Sequence, residues 1–148
     1  MKVFEALRKL PVTVEADRTL VEVARLMDSG AVGAVVVVDS GMPVGIVTDR
    51  DMVVRGLGRG TPMDGRIDEI MTTEVMTIDC EADLRDALGI FERHAIRRLP
   101  VLKDGLVIGM ITVDDLMIDL IADMSTLVRP VTGQVIFGHG EAGLPATT

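Results

Sequence analysis

Two stretches of this 148-residue chain carry residue types that could handle a sugar phosphate: Gly45-Ile46-Val47-Thr48-Asp49-Arg50-Asp51 and Gly109-Met110-Ile111-Thr112-Val113-Asp114-Asp115. In each, an apolar run reads as a strand ending in Thr, and an Asp follows three residues later where a helix should start. A helix N-terminus presents unpaired N–H groups and a partial positive charge, both suited to phosphate. Thr48 and Thr112 can each donate a further hydrogen bond there. Asp51 and Asp115 can each accept two hydrogen bonds, which matches the vicinal hydroxyls of a ribose. Flanking Val and Ile side chains would form an apolar slot for a base. The same Thr-x-x-Asp spacing also describes a helix capping box. The two roles are compatible, since a capping Thr can exchange its backbone partner for a ligand. The doubled motif, each Thr three residues after an aligned Gly (Gly45, Gly109), favours a ligand.

The doubling extends well beyond the motif. Shifted by 64 positions, residues 3–55 align without a gap on residues 67–119, with identities Glu5/Glu69, Thr13/Thr77, Leu20/Leu84, Ala31/Ala95, Val37/Val101, Gly41/Gly105, Gly45/Gly109, Thr48/Thr112 and Asp51/Asp115. Chance matching of apolar segments would not also align Gly, Thr and Asp, so the chain is read as a duplicated unit. Residues 56–66 (GLGRGTPMDGR) read as a linker. Residues 120–127 can prolong a helix, and from Arg129 the Gly, Pro and Thr content predicts an irregular, partly disordered tail within the 120–148 segment.

The elements that must position the motifs follow the same order in both copies. A short strand (12–15; 76–79) precedes a helix whose apolar stripe is Leu20, Val23, Ala24 and Met27, matched by Leu84, Ala87, Leu88 and Phe91. Thr19 with Glu22 reads as a capping box, and Asp83 as the second cap. Two strands follow (34–38 and 44–47; 99–102 and 107–111), joined through Asp39-Ser40-Gly41 and Lys103-Asp104-Gly105, a hairpin signal. The expected fold class is therefore α/β, a β-α-β-β-α unit occurring twice.

With both motifs, the preceding apolar helices and Arg-Arg-Leu-Pro-Val at 97–101 in view, residues 3–119 resemble a tandem pair of CBS domains, a Bateman module. The resemblance implies two repeats packed through their sheets with pseudo-two-fold symmetry, and two clefts that take AMP, ADP, ATP or another adenosyl ligand such as S-adenosylmethionine or NAD. Carried over by position, Asp51 and Asp115 hold ribose, Thr48 and Thr112 contact phosphate beside Gly45 and Gly109, Thr13 and Thr77 lie at the cleft edges, and Arg97 and Arg98 bind phosphate. The copies differ here, because Gly33 and Ala34 stand where the second has the arginines, and Val36 where it has Pro100. Arg is a permanent cation with a fork that fits phosphate, so one strong and one weak or empty site is expected. The resemblance also implies a regulatory module without catalytic activity, paired as a homodimer and acting on an effector protein. A ligand-independent interaction scaffold with vestigial clefts is the alternative.

Composition narrows the remaining classes. Fifteen basic against 23 acidic residues give a net charge of −8, the wrong sign for coating nucleic acid or an anionic membrane. A lone cysteine, Cys80, cannot form an internal disulfide and reads as a small core residue in a cytoplasmic protein. The longest apolar run, 31–38, is far too short to span a bilayer. His94 and His139 lack metal-ligand spacing, the ten Met residues read as core filler, and Gly56-Leu57-Gly58-Arg59-Gly60 follows a helix and lacks the Lys-Ser/Thr ending of a phosphate loop. No catalytic nucleophile or acid-base pair stands out, and no metal or obligatory cofactor is expected.

Overall fold

Positive backbone φ at paired turn residues shapes both hairpins: Ser40 and Gly41 (52° and 80°), and Asp104 and Gly105 (53° and 79°). This is the type I′ geometry whose twist matches that of the strands it joins. A computed structural model describes residues 1–141, with side chains described for residues 1–128. The first repeat contains β1 (Thr13–Glu15), α1 (Leu20–Gly30), β2 (Ala34–Asp39), β3 (Met42–Thr48) and α2, an α-turn (Asp49–Asp51) that runs into a π-helix (Met52–Leu57). The second contains β4 (Ile78–Asp79), α3 (Leu84–His94), β5 (Arg98–Lys103) and β6 (Leu106–Thr112), followed by α4 (Val113–Glu141). Each repeat forms one three-stranded sheet, ordered β1-β2-β3 and β4-β5-β6, with the first pair parallel and the second antiparallel. A register shift falls at Val37/Val38 in one sheet and at Val101/Leu102 in the other, equivalent positions under the 64-residue offset.

The predicted β-α-β-β-α order is present in both copies. Thr19 and Glu22 close the expected capping box on α1, and the Asp83 side chain accepts the Arg85 N–H at 2.9 Å. All of β2 from Ala34 to Val38 is buried, as expected for a strand covered on both faces. β3 and β6 make contact, and the Val107 N–H donates to the Gly41 carbonyl at 3.1 Å, tying the first hairpin turn to the second sheet.

The sequence repeat hides an exchange. Each copy opens with a single 3-10 turn, Val3–Ala6 and Ile67–Glu69, and in space each turn packs on the other copy. Val3 and Phe4 donate to the carbonyls of Ala82 and Cys80 (2.9 and 3.0 Å), while Leu84 donates to Met1. In return, Ile67 donates to Arg18 at 2.7 Å, Leu20 donates to Gly65, and Ile67 is fully buried in the core of Leu20, Val23, Met27, Val35, Val37 and Val47. The linker is held as well, since the Val21 N–H donates to the Met63 carbonyl. Cys80 is buried, as its composition role required.

Three details depart from expectation. β4 spans two residues where four were predicted, and the helix after Thr48 leaves α geometry within one turn. The third concerns the tail. The backbone stays helical past Arg129 to Glu141, because one Pro and scattered Gly lower helix propensity without ending a helix whose neighbouring peptide groups keep their bonds. The remainder of the expected irregular tail, residues 142–148, lies outside the described residues.

Both sheet-leading helices end on an alanine in the left-handed region, Ala31 (φ 50°) and Ala95 (φ 52°), which costs a non-glycine residue about 1–2 kcal/mol. Ala31→Gly and Ala95→Gly are each expected to stabilise the fold by about 0.5–1 kcal/mol after the entropy of the added glycine is subtracted, read as a rise in the urea midpoint. The backbone N–H of Arg85 holds the Asp83 carboxyl below its ordinary value of 3.8. A lowered folded-state pKa stabilises above the unfolded value and is lost as pH falls through the folded one. The stability gap between wild type and Asp83→Ala should therefore be full at neutral pH and close in acid, below about pH 4, as urea titrations at several pH values would record.

Candidate functional site

Thr48 ends β3, paired across the ladder with Ala34, and its side chain takes the cap of α2. The Asp51 N–H donates to Thr48 Oγ1 at 3.2 Å, and Asp51 Oδ2 accepts the Thr48 N–H at 2.9 Å, so the first Thr-x-x-Asp element is a closed capping box. Asp51 Oδ1 stands 3.9 Å from Arg55 Nε, one turn along. The Arg55 guanidinium in turn donates to the carbonyls of Ile70 and Met71 and to Thr72 Oγ1, at 3.3–3.4 Å. The segment it holds lies antiparallel to β3 through reciprocal Ile46–Thr72 backbone hydrogen bonds of 3.0 and 2.9 Å.

In front of this segment opens a cleft of about 270 Å³, lined by Ile46, Thr48, Thr72, Glu74, Val75, Met76, Ile96, Arg97, Arg98 and Pro100. Its wall is apolar through Ile46, Val75, Met76, Ile96 and Pro100. Its polar groups are two threonines, one carboxylate and two guanidinium groups. The volume lies near the low end of small-molecule sites, which begin at about 300 Å³. Arg98 pairs by backbone with Thr112 in its own sheet, yet its side chain reaches the first repeat. A Cβ placed on Gly33 would lie 3.4 Å from Arg98 Nη2 and 3.2 Å from Asp49 Oδ2. The missing side chain at position 33, where the second copy has Arg97, leaves room for both groups.

The structure thus brings Thr48, Arg97 and Arg98 together. Asp51 sits behind Thr48 in the cap and does not line the cleft. Gly45 and Gly109 are buried beneath side chains from the segments that lead each repeat: a Cβ on Gly45 would collide with Met71, and one on Gly109 would come 2.6 Å from Leu7 Cδ2. Packing accounts for glycine at both positions. Thr13 is exposed at the start of β1, and Thr77 is half-buried just before β4; neither lines the cleft. Thr112 closes β6 and Asp115 lies in the first turn of α4; both are half-buried, and neither lacks an interacting partner. The chain forms two compact units, Met1–Thr112 and one beginning at Val113, so the cleft belongs wholly to the first.

Thr72, Glu74, Val75, Met76 and Arg55 escaped sequence reasoning. Residues 72–76 form an irregular stretch without periodicity, and Arg55, in the π-helix, aligns with Asp119, so the repeat gives no sign of it. Among the described residues no group of three or more His, Cys, Asp or Glu could hold a metal ion, and no helix is long and apolar enough to cross a membrane. Replacing Arg55 with Met removes the donor shared by Ile70, Met71 and Thr72. Arg55→Met should cost about 1 kcal/mol and speed amide exchange at Thr72 more than at Val37, measured by hydrogen-exchange NMR.

Comparison with known proteins places the chain. The CBS domain model matches residues 3–57 and again 67–121. The CBS domain-containing protein YhcV of Bacillus subtilis is 33% identical over 113 residues, 76% of this chain and 81% of that protein. Among solved structures, the CBS domain protein PAE2072 from Pyrobaculum aerophilum complexed with AMP superposes with a TM-score of 0.71 at 27% identity, covering 78% of this chain and 90% of that one. The CBS domain pair of protein MJ0100, in complex with 5-methylthioadenosine and S-adenosyl-L-methionine, does so with a TM-score of 0.73 at 25% identity, covering 83% and 98%. Two matched repeats, two three-stranded sheets and these relatives make the chain a member of the CBS domain family, built as a tandem CBS pair.

Proposed function

We propose that the cleft beside Thr48 binds an adenine nucleotide, and that the chain is a regulatory sensor without catalytic activity of its own. One observation carries this reading: in an acidic chain of net charge −8, Arg97 and Arg98 line one cleft together with Thr48, Thr72 and the apolar side chains of Ile46, Val75, Met76, Ile96 and Pro100. Phosphate fits the arginines and Thr48, where the fork of a guanidinium and a hydroxyl supply directed donors. The base fits among Ile46, Val75, Met76 and Ile96. Glu74 supplies a carboxylate for ribose hydroxyls, a part the sequence reading gave to Asp51. Thr48 can turn its hydroxyl from the Asp51 N–H to a ligand without loss of the reverse bond. The AMP and S-adenosyl-L-methionine complexes of the two related structures support an adenosyl ligand as the class.

In the first copy Gly33 and Ala34 stand where the second has Arg97 and Arg98, and we assign the second nucleotide site weak or no phosphate binding. Bound nucleotide acts by differential affinity for two arrangements of the repeats, and the signal passes to an effector protein or through self-association in the cytoplasm. The closed capping box at Thr48 and Asp51 favours the other reading, a constitutive scaffold with a vestigial cleft.

Isothermal titration calorimetry with AMP, ATP, NAD and S-adenosylmethionine separates the two. The sensor predicts saturable binding of at least one ligand in the micromolar to millimolar range. Loss of a charge-assisted phosphate bond in Arg98→Ala should weaken a phosphorylated ligand about tenfold or more, while Arg93→Ala changes nothing. No binding at millimolar concentration, or an Arg98→Ala affinity equal to wild type, selects the scaffold.

A further inference from the structure

Both threonine hydroxyls of the cleft are held by groups outside it that can only donate. Thr72 Oγ1 takes an N–H of the Arg55 guanidinium at 3.4 Å, and Thr48 Oγ1 takes the Asp51 N–H at 3.2 Å. A guanidinium and a peptide N–H have no lone pair to offer in return, so each hydroxyl is the acceptor and keeps its own proton to give. Among the described residues neither hydroxyl donates to a protein acceptor. Both line the cleft with Arg97 and Arg98. Two O–H donors thus join two guanidinium groups, an arrangement that suits a group made of acceptors, such as phosphate.

One residue that does not line the cleft sets this arrangement. Arg55 Nη1 also donates to the carbonyls of Ile70 and Met71, at 3.3 and 3.4 Å, so the guanidinium is anchored on backbone while it orients Thr72. Its Nε stands 3.9 Å from Asp51 Oδ1, and Asp51 Oδ2 accepts the Thr48 N–H at 2.9 Å. A single guanidinium steadies Thr72 directly and Thr48 through the Asp51 carboxylate. The Ile46–Thr72 backbone bonds already fix the main chain of Thr72, which leaves its few χ1 rotamers as the remaining freedom. The Arg55 N–H selects among them. The geometry that places Arg55 is confined to the first copy: it lies in the π-helix Met52–Leu57, whereas the helix after Thr112 is an α-helix with Asp119 at the aligned position. The second repeat folds without a π turn, so the fold does not require one, and π segments recur at functional sites.

We infer that Arg55 is a positioning residue for phosphate: it presets the Thr72 and Thr48 hydroxyls as donors, and so makes the cleft prefer a phosphorylated nucleoside to the same nucleoside without phosphate. The inference rests on the nucleotide reading of the cleft. Its test is calorimetry of the full chain with AMP and with adenosine, for wild type, Arg55→Met, Thr72→Val and the double variant. Arg55→Met should weaken AMP about five- to tenfold and adenosine less than about twofold. Thr72→Val keeps the side-chain shape and leaves Arg55 its two carbonyl bonds, so it reports on the same hydroxyl even where Arg55→Met folds poorly, and it should weaken AMP by a similar factor. In the double variant the loss should be smaller than the product of the two single losses, since both remove one interaction. Equal losses for AMP and adenosine in Arg55→Met, wild-type AMP affinity in Thr72→Val, or single losses that multiply in the double variant overturn the inference and leave nucleotide binding standing. A wild type that binds neither ligand overturns the nucleotide reading, and this inference with it.

Discussion

The site depends on the exchange of the two leading turns. Ile67 completes the core of the first repeat, and Val3, fully buried, is bonded to the second repeat at Ala82, so each repeat holds chain from the other. Burying an isoleucine of this size contributes about 1.5–3 kcal/mol, and the hydrogen bonds of Ile67 to Arg18 and of Val3 to Ala82 fix where each turn lands. Once Ile67 is seated, the chain that follows must run along β3. There the Ile46–Thr72 bonds satisfy backbone groups of an otherwise open edge, and Thr72 and residues 74–76 come to line the same cleft as Thr48.

From that constraint the asymmetry of the chemistry follows. Both repeats have the same ladder, so Arg98 and Ala34 occupy equivalent ladder positions, opposite Thr112 and Thr48. The long side chain at 98 crosses to the first repeat, where the absent side chain of Gly33 gives it space. The reverse crossing has no cation to make it, because Ala34 ends at Cβ. One duplication thus yields two similar frames and one clustered pair of arginines. Arg55 adds to the difference by connecting the Asp51 cap to Thr72, a link the second copy replaces with the acidic Asp119.

Much of this was legible in the residues. Stripes at helical spacing located α1 and α3, and Ser40-Gly41 and Asp104-Gly105 located hairpins because few residues accept φ above zero at two consecutive positions. The chemistry of Thr48, Arg97 and Arg98 and a family resemblance mark them as candidate site residues, and all three line one cleft. The exchange was not legible: alignment by 64 residues states that Val3 and Ile67 are equivalent, and equivalence is the same whether each turn packs on its own copy or on the other. Gly45 and Gly109 were read beside a ligand, whereas the sequence has no means of showing Met71 and Leu7 arriving over them. Thr72 and Glu74 sit in a stretch that tertiary contacts alone position. Pro130 and the later glycines argued for the end of a helix, but propensity is a weak term beside an established run of backbone bonds.

The most direct test is a crystal structure of the chain grown with millimolar AMP. The account predicts nucleotide in the cleft of the first unit, its phosphate within 3.2 Å of an Arg97 or Arg98 nitrogen and of Thr48 Oγ1, and its base against Ile46 and Val75. A cleft without nucleotide under those conditions, or AMP bound with its phosphate away from both arginines, would contradict it.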